Sequence, residues 1–189
     1  METKDIQKSL YYHHKQRQNN FMVSNKHLHY WFECDFMTIS KADYLTEFEI
    51  KQSKSDYKRD FVSKKIKHEW LKGKRTGNLL MEESWKDKTE VIVDSFTPGF
   101  VGYQKTIKME DYKGPNYFYF ICPPNIIDLQ DVPDYAGLIY VMENNTRIPR
   151  LNFIKQAPRL HKNKTDDARK LNIMTKYMYD YWKHTYEKR

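Results

Sequence analysis

Cysteine and glycine are scarce in this chain of 189 residues, and long apolar runs are missing. There are two cysteines, Cys34 and Cys122, and six glycines. The cysteines lie far apart and outside any Cys-x-x-Cys pair, which speaks against a zinc module and predicts two reduced core residues. No apolar run is long enough to span a bilayer and no signal-peptide core follows the N-terminus, so we expect a cytoplasmic protein without a membrane partner.

Several motifs of common enzymes are also lacking. The sequence contains no Gly-x-Ser-x-Gly, no P-loop and no Gly-x-Gly-x-x-Gly pattern, which speaks against the hydrolases and nucleotide-binding enzymes built on them. Charged and aromatic side chains are abundant instead: 31% of the residues are charged, 15% are aromatic, and the net charge is +8. A basic globular chain favours a polyanionic partner, nucleic acid before a membrane surface.

A length of 189 residues predicts one domain over 1–189, and the periodicity of the apolar residues predicts its elements. Helices are expected over 4–18, from the capping serine Ser53 or Ser55 to Gly73, and over 166–186, where a stripe is formed by Leu171, Met174, Met178 and Trp182. Strands are expected over 27–39, 45–51, Tyr117 to Cys122, Gly137 to Val141 and Leu151 to Lys155. Residues 73–114 hold five of the six glycines and a β-like run from Glu90 to Val93, and we interpret them as an insertion.

The order of these elements predicts an α/β fold. The strands 27–39 and 45–51 form an antiparallel hairpin around a turn at 40–43. The helix after the hairpin would be a right-handed crossover, which makes the strand 117–122 parallel to the strand 45–51. The expected architecture is therefore a mixed β-sheet, with an antiparallel hairpin and a parallel crossover strand, flanked by helices.

The hairpin carries the residues that indicate chemistry. Even positions from Leu28 to Phe36, and at Phe48 and Ile50, are apolar, whereas acidic residues stand at odd positions: Glu33, Asp35, Glu47 and Glu49. Because both apolar faces must look into the core, even residues pair with even ones, and a turn centred on Ala42 places Asp35 opposite Glu49 and Glu33 opposite Lys51. Facing carboxylates repel each other, and a hard divalent cation such as Mg²⁺ or Mn²⁺ would reverse the sign of that interaction.

The same residues resemble a known family. Asp35 with Glu49-Ile50-Lys51 is similar to the core motif of the PD-(D/E)XK nuclease superfamily, with Cys34 where the motif has proline. Three stretches resemble a subgroup of small bacterial and phage members related to a DNA-repair family: Glu47 to Tyr57, Tyr117 to Pro123, and Val132 to Ile139. The resemblance implies a restriction-endonuclease-like fold and Mg²⁺-dependent hydrolysis of phosphodiester bonds, in DNA rather than RNA, in repair or phage DNA processing.

The resemblance also implies roles for single residues. Asp35 and Glu49 would hold the metal together with the backbone carbonyl of Ile50, and Glu33 is a further candidate ligand. Lys51 would orient or help deprotonate the attacking water, or balance charge in the transition state.

Some residues outside this motif are candidate contacts with nucleic acid. Ser53 matches the subgroup pattern, but helix capping is enough to explain it. Lys65, Lys67 and His68 follow on the predicted helix, where phosphate contacts compete with a solvated helix face as the explanation. Glu47 would lie at the rim of the metal site, and a solvated charge explains it at least as well.

Two other functions stay open at this point. The chain is either a nuclease, or a nucleic-acid-binding protein that keeps the nuclease fold without efficient cleavage, or an interaction protein whose acidic strand face is solvated. The last alternative has weight because Asp followed by Glu-x-Lys is a weak pattern in a highly charged chain. Metal binding separates it from the other two.

Overall fold

The fold is built on a six-stranded sheet, and a computed structural model describes residues 1–17, 21–29, 32–73, 78–84, 102–108, 114–144 and 148–186. The strands in chain order are β1 (Phe21–His29), β2 (Phe32–Ile39), β3 (Leu45–Ile50), β4 (Asn78–Ser84), β5 (Gly102–Lys108), β6 (Tyr117–Cys122), β7 (Gly137–Met142) and β8 (Arg150–Lys155). The helices are α1 (Thr3–Gln16), α2 (Lys54–Ser63), α3 (Lys65–Leu71) and α4 (Asp167–Tyr186).

The large sheet is mixed, with the strand order β1-β2-β3-β6-β7-β8. Its three central strands, β3, β6 and β7, are parallel, and antiparallel pairs flank them on both sides. The predicted architecture is therefore confirmed: an antiparallel hairpin, a parallel crossover strand and flanking helices. Strands β4 and β5 pair with each other in a separate two-stranded sheet, which lies within the range 73–114.

Helices cover both faces of the sheet near its centre. On one face, Ile6 and Leu10 of α1 pack in a core cluster with Phe48 and Ile121. The other face carries a second cluster, in which Tyr57 of α2 and Trp70 of α3 pack with Phe118 and Phe120 of β6. Among the even positions of the hairpin, Phe36, Phe48 and Ile50 pack in the first cluster as predicted, whereas Cys34 is buried in a third cluster with the odd-numbered Met37. The opposite face, which is solvated in the alternative of an interaction protein, is covered along β3, where Glu47 and Glu49 are buried.

Local sequence explains where the elements around the hairpin begin and end. Ser53 has an extended backbone, and its hydroxyl accepts a hydrogen bond from the backbone N–H of Asp56 (3.1 Å), so it caps α2 as predicted. Gly73 follows α3 with a φ of 103°, a conformation that glycine adopts without strain. The helical segment between these residues is broken at Lys64 into α2 and α3, whereas a single helix was predicted.

One expectation about a strand and one about packing need correction, and a second expected strand is not tested. The predicted strand over 27–39 is divided between β1 and β2, and most of β1 was missed. The predicted run from Glu90 to Val93 lies outside the described residues.

Helix α4 occupies the predicted range, but its stripe does not pack on the sheet. Ile173 is buried in a cluster with Val23 and Met37, whereas all four stripe residues, Leu171, Met174, Met178 and Trp182, are exposed. Within the described ranges, no helix has the combined length and apolarity needed to cross a membrane.

Candidate active site

The β2–β3 hairpin brings Asp35, Glu49 and Lys51 to one cleft. The ladder pairs Phe36 with Phe48 and Met37 with Glu47, which is the predicted register. One step beyond the ladder, a carboxylate oxygen of Asp35 accepts a hydrogen bond from the backbone N–H of Ile50 at 2.7 Å. The cleft has a volume of about 360 Å³, and its lining includes these four residues: Asp35, Glu49, Ile50 and Lys51.

Lys51 is buried and forms its shortest ion pair with a residue of helix α2. Its Nζ lies 2.7 Å from Oδ1 of Asp60 and 3.6 Å from Oε2 of Glu49. Asp60 therefore fixes the direction of the Lys51 amine and helps keep it beside Glu49.

Asp60 is itself held by a buried chain of hydrogen bonds. Its Oδ2 lies 2.8 Å from Nε2 of His68, and Nδ1 of His68 lies 2.8 Å from the hydroxyl of Tyr135. Burial lowers the pKa of His68 despite the hydrogen bond with Asp60. A neutral ring satisfies both contacts if Nε2–H donates to Asp60 and Nδ1 accepts from Tyr135.

Electrostatic partners decide the ionisation of Asp60. Burial opposes its charged form, but the hydrogen bond from His68 and the charges of Lys51 and Lys64 outweigh it and hold the pKa well below the usual value. Asp60 is thus an ionised carboxylate throughout the neutral pH range.

Glu49 is almost completely buried and is surrounded by ammonium groups. The Nζ of Lys64 lies 2.8 Å from each of its two carboxylate oxygens, and Lys67 donates to Oε1. Burial raises the energy of the Glu49 anion, but the charges of Lys67 and Lys64 hold its pKa below the usual value. Glu49 is therefore an anion with cationic partners on both oxygens.

Asp35 is in a different electrical environment from Glu49. Burial and the charge of Glu49 raise the pKa of Asp35 to about 6, against the hydrogen bond from Ile50 that favours the anion. Its side chain is half-buried and borders the cleft. Asp35 is accordingly the carboxylate of this site that has most to gain from an additional cation.

The expectation of a solvated Glu47 is wrong. Glu47 is 2% exposed, and its carboxylate accepts a hydrogen bond from Lys67, which has no exposed surface at all. The Lys67 amine also lies over the ring of Phe118. Lys67 therefore joins Glu47 to Glu49 beneath the cleft.

Of the residues predicted to contact nucleic acid, some are buried in the structure and others are accessible. Lys67 and His68 are buried and hydrogen-bonded within the protein, which speaks against direct phosphate contacts in this conformation. Ser53 caps α2, and Lys65 is exposed at the start of α3. Glu33 is exposed and lies beside His27 of β1. Among the described residues, neither Glu33 nor Lys65 lines the cleft.

The oxygen atoms of the site suit a hard cation, but the amine of Lys64 obstructs access to Glu49. Asp35 and Glu49 offer carboxylate oxygens at the cleft, and Ile50, whose carbonyl is the third predicted ligand, is among its lining residues. Oxygen ligands are the type that Mg²⁺ and Mn²⁺ prefer. Over the described parts of the chain, however, no three His, Cys, Asp or Glu side chains converge as a preformed metal group. Lys64 stands at Glu49, on the side where a cation would bind.

Sequence reasoning missed three members of the site: Asp60, Lys64 and Tyr135. A signal for the first two was present. Asp60, Lys64 and His68 recur at helical spacing, on the same side of the segment as Tyr57 and Phe61. Charged residues inside an apolar stripe indicate buried ion pairs rather than a solvated face.

Comparison with models of known protein families gave no match, and comparison with curated proteins gave none. Among solved structures, the chain is similar to SPO1766, a protein of unknown function from Silicibacter pomeroyi. The TM-score is 0.50 at 11% sequence identity, and the match covers 91% of this chain and 84% of that chain. At this identity the similarity shows the fold alone, and it assigns no activity.

Proposed function

We propose that the protein is a metal-dependent nuclease that hydrolyses phosphodiester bonds, with DNA as its principal substrate and the cytoplasm as its place of action. The observation that carries the proposal is the convergence of Asp35, Glu49 and Lys51 on one cleft, in the register expected for two adjacent strands. The resemblance of these residues to the PD-(D/E)XK motif supports it, and the basic net charge suits a polyanionic substrate.

Asp35 and Glu49 would hold the cation, Mg²⁺ or Mn²⁺, with the Ile50 carbonyl as a third oxygen donor. When bound, the cation would polarise the scissile phosphate and make water a stronger nucleophile. The raised pKa of Asp35 supports this role, because an additional positive charge would relieve its repulsion with Glu49.

Lys51 would act on the reacting groups directly, through the N–H groups of its amine. Asp60 holds its amine beside Glu49, so its N–H groups are preorganised rather than free to rotate. A fixed cation that meets the charge developing on phosphate stabilises the transition state more than a mobile one does. Asp60 is a positioning residue for Lys51, and His68 with Tyr135 supports Asp60.

A second candidate function is nucleic-acid binding without efficient cleavage. The observation that favours it is the engagement of Glu49 by both Lys64 and Lys67. If neither amine moves, a metal cannot reach that carboxylate, and the cleft is a binding surface only.

Cleavage assays separate these functions. Supercoiled, linear and single-stranded DNA, and RNA, are incubated with the full chain in Mg²⁺, in Mn²⁺ and in chelator. We expect cleavage of DNA that stops in chelator and falls by at least about 100-fold in Asp35→Ala, Glu49→Ala and Lys51→Ala.

The matched control is Asp56→Asn. The carboxylate of Asp56 also lines the cleft, but it contacts Arg59 rather than the buried site, so this variant should retain cleavage. Equal cleavage by wild type and Lys51→Ala would identify a contaminant and contradict the site. Metal-independent binding with no cleavage of any substrate would favour the second candidate function.

A further inference from the structure

Lys64 occupies the break between α2 and α3 and extends into the cleft. Its backbone has φ −115° and ψ 34°, outside the helical values, and its N–H bonds to the carbonyl of Asp60. The side chain lines the cleft together with Asp35 and Glu49. The break thus directs this lysine at the proposed metal ligands.

The Lys64 amine covers the carboxylate of Glu49. It lies 2.8 Å from both oxygens of Glu49 and 3.4 Å from Oδ1 of Asp60. A divalent cation would bind those same oxygens at about 2.0–2.1 Å for Mg²⁺. An ammonium and a metal ion cannot both occupy this side of one carboxylate, because they would overlap and repel each other.

We infer that Lys64 is a tethered cation that competes with the divalent metal for Glu49, so that the metal binds only when the Lys64 amine leaves. The inference rests on the proposed function, since it assumes that a metal binds at Asp35 and Glu49. It assigns Lys64 a regulatory role: metal affinity is set low by an internal competitor, and loading of the site is coupled to movement of one side chain.

The three lysines of the site differ in how freely they can move. The side chain of Lys64 is 25% exposed, that of Lys51 is 5% exposed, and that of Lys67 is not exposed. Lys64 can therefore turn into the open cleft without leaving a cavity in the core. Glu49 keeps Lys67 as a partner when this happens, so its buried charge is never left alone.

Removal of the competitor should tighten metal binding. In Lys64→Met the positive charge is lost while much of the apolar stem remains, and we expect Mn²⁺ to bind about tenfold tighter or more than in wild type. Lys64→Gln should also bind Mn²⁺ more tightly than wild type. It is the variant to use if Lys64→Met folds poorly, because its amide can still donate a hydrogen bond to Glu49. Lys64→Arg keeps the cation and should bind Mn²⁺ no tighter than wild type does.

Arg59→Met is the matched control for general electrostatics. Arg59 lines the same cleft and is a cation, but its guanidinium contacts Asp56 at 3.3 Å and is largely exposed. If Lys64 acts by covering Glu49, Arg59→Met should leave Mn²⁺ affinity within about twofold of wild type. If any cation in the cleft has the same effect, both methionine variants would tighten binding equally, and the inference would be overturned.

Isothermal titration of the full chain with Mn²⁺ measures these affinities, and thermal unfolding in chelator and in Mg²⁺ is the second readout. In chelator, Lys64→Met should unfold at a lower temperature than wild type because Glu49 loses a partner. In Mg²⁺ its stabilisation should exceed that of wild type. Adding Asp35→Asn to Lys64→Met should remove the gain, because the gain depends on metal held by both carboxylates.

The outcomes distinguish the inference from the proposed function. Equal Mn²⁺ affinity in wild type, Lys64→Met and Lys64→Gln would overturn the competition while leaving the metal site intact. No Mn²⁺ binding by wild type or by either Lys64 variant would overturn both, because even the uncovered site would then fail to hold a metal.

Discussion

Asp35 and Glu49 show how two carboxylates in one cleft acquire different properties from their neighbours. Glu49 is more deeply buried, yet Lys64 and Lys67 keep its pKa low. Asp35 is less buried, but the nearby charge of Glu49 adds to desolvation, and its pKa rises to about 6. Ammonium groups thus stabilise the anion of Glu49, whereas the anion of Asp35 stays electrostatically unfavourable at neutral pH.

The unfavourable ionisation of Asp35 predicts that the effect of Asp35→Asn on stability in chelator depends on pH. The folded protein keeps the Asp35 proton up to about pH 6, whereas an ordinary aspartate releases it near 3.8. The folded state therefore binds more protons between these values, and the free energy of unfolding falls as pH rises through them. Asparagine, which can still accept the hydrogen bond from Ile50, does not ionise.

We therefore expect the stability advantage of Asp35→Asn over wild type to be about 1–2 kcal/mol larger at pH 8 than at pH 4.5. Urea denaturation in chelator at the two pH values measures it. Asp56→Asn is the control and should show no such increase. An advantage that does not change with pH would mean that Asp35 ionises like an exposed aspartate.

The site was only partly predictable at the scale of single residues. Asp35, Glu49 and Lys51 follow from alternation, because the hairpin register fixes which side chains share a face. Asp60 and Lys64 could not be assigned in this way. Their place in the apolar stripe of the helix indicates buried ion pairs, but their partners Lys51 and Glu49 lie on or just after β3, and helical spacing does not identify partners on another element.

At the scale of elements, the close approach of β6 and β7 depends on one glycine. Gly137 begins β7 opposite Tyr119 of β6. A Cβ at this position would lie 2.3 Å from the Tyr119 ring and 2.7 Å from the backbone nitrogen of Ala157. Both contacts are too short, so both the Tyr119 ring and the backbone at Ala157 would have to shift.

We expect Gly137→Ala to destabilise the protein by about 1–3 kcal/mol through overpacking. Urea denaturation of the single variants and of a double variant with Tyr119→Leu tests the mechanism, since a smaller side chain at position 119 should reduce the cost of the alanine. Additive effects of the two substitutions would show that the ring does not limit the space at Gly137.

Strand and helix boundaries were predicted where the chain carries a local signal. Ser53 marks the start of α2, and Gly73 follows the end of α3, through capping and left-handed backbone. The division between β1 and β2 was missed because residues 27–36 contain no glycine or proline, and the alternation is broken there only by the odd-numbered apolar residue Trp31. Periodicity reports the exposure of side chains, and it does not report where a chain reverses.

Helix α4 illustrates a different limit. Its range was predicted because the apolar residues recur at helical spacing, but those residues are exposed and Ile173 provides the buried contact. Helical periodicity specifies a face, and the element that covers the face is a property of the tertiary structure.

For the molecule as a whole, the excess of positive charge lies outside the buried site. The site contains four carboxylates, Asp35, Glu47, Glu49 and Asp60, with three ammonium groups, Lys51, Lys64 and Lys67. It is therefore close to neutral, while the chain carries a net charge of +8. Attraction of a polyanion must come mainly from lysine and arginine on the surface. The charged groups of the buried site contribute little to it, because their charges nearly cancel.

This separation predicts that DNA binding and cleavage respond to different changes. In chelator, wild type and Asp35→Ala should bind a DNA duplex with similar affinity, because the carboxylate contributes to metal binding rather than to the attraction of DNA. For both proteins the affinity should fall by at least about tenfold between about 50 mM and 200 mM salt, as expected when two or more phosphates are neutralised. Fluorescence anisotropy with labelled DNA measures both quantities. Binding that is insensitive to salt, or no binding at low salt, would show that the surface charge does not serve nucleic acid and would remove DNA as the substrate of the cleft.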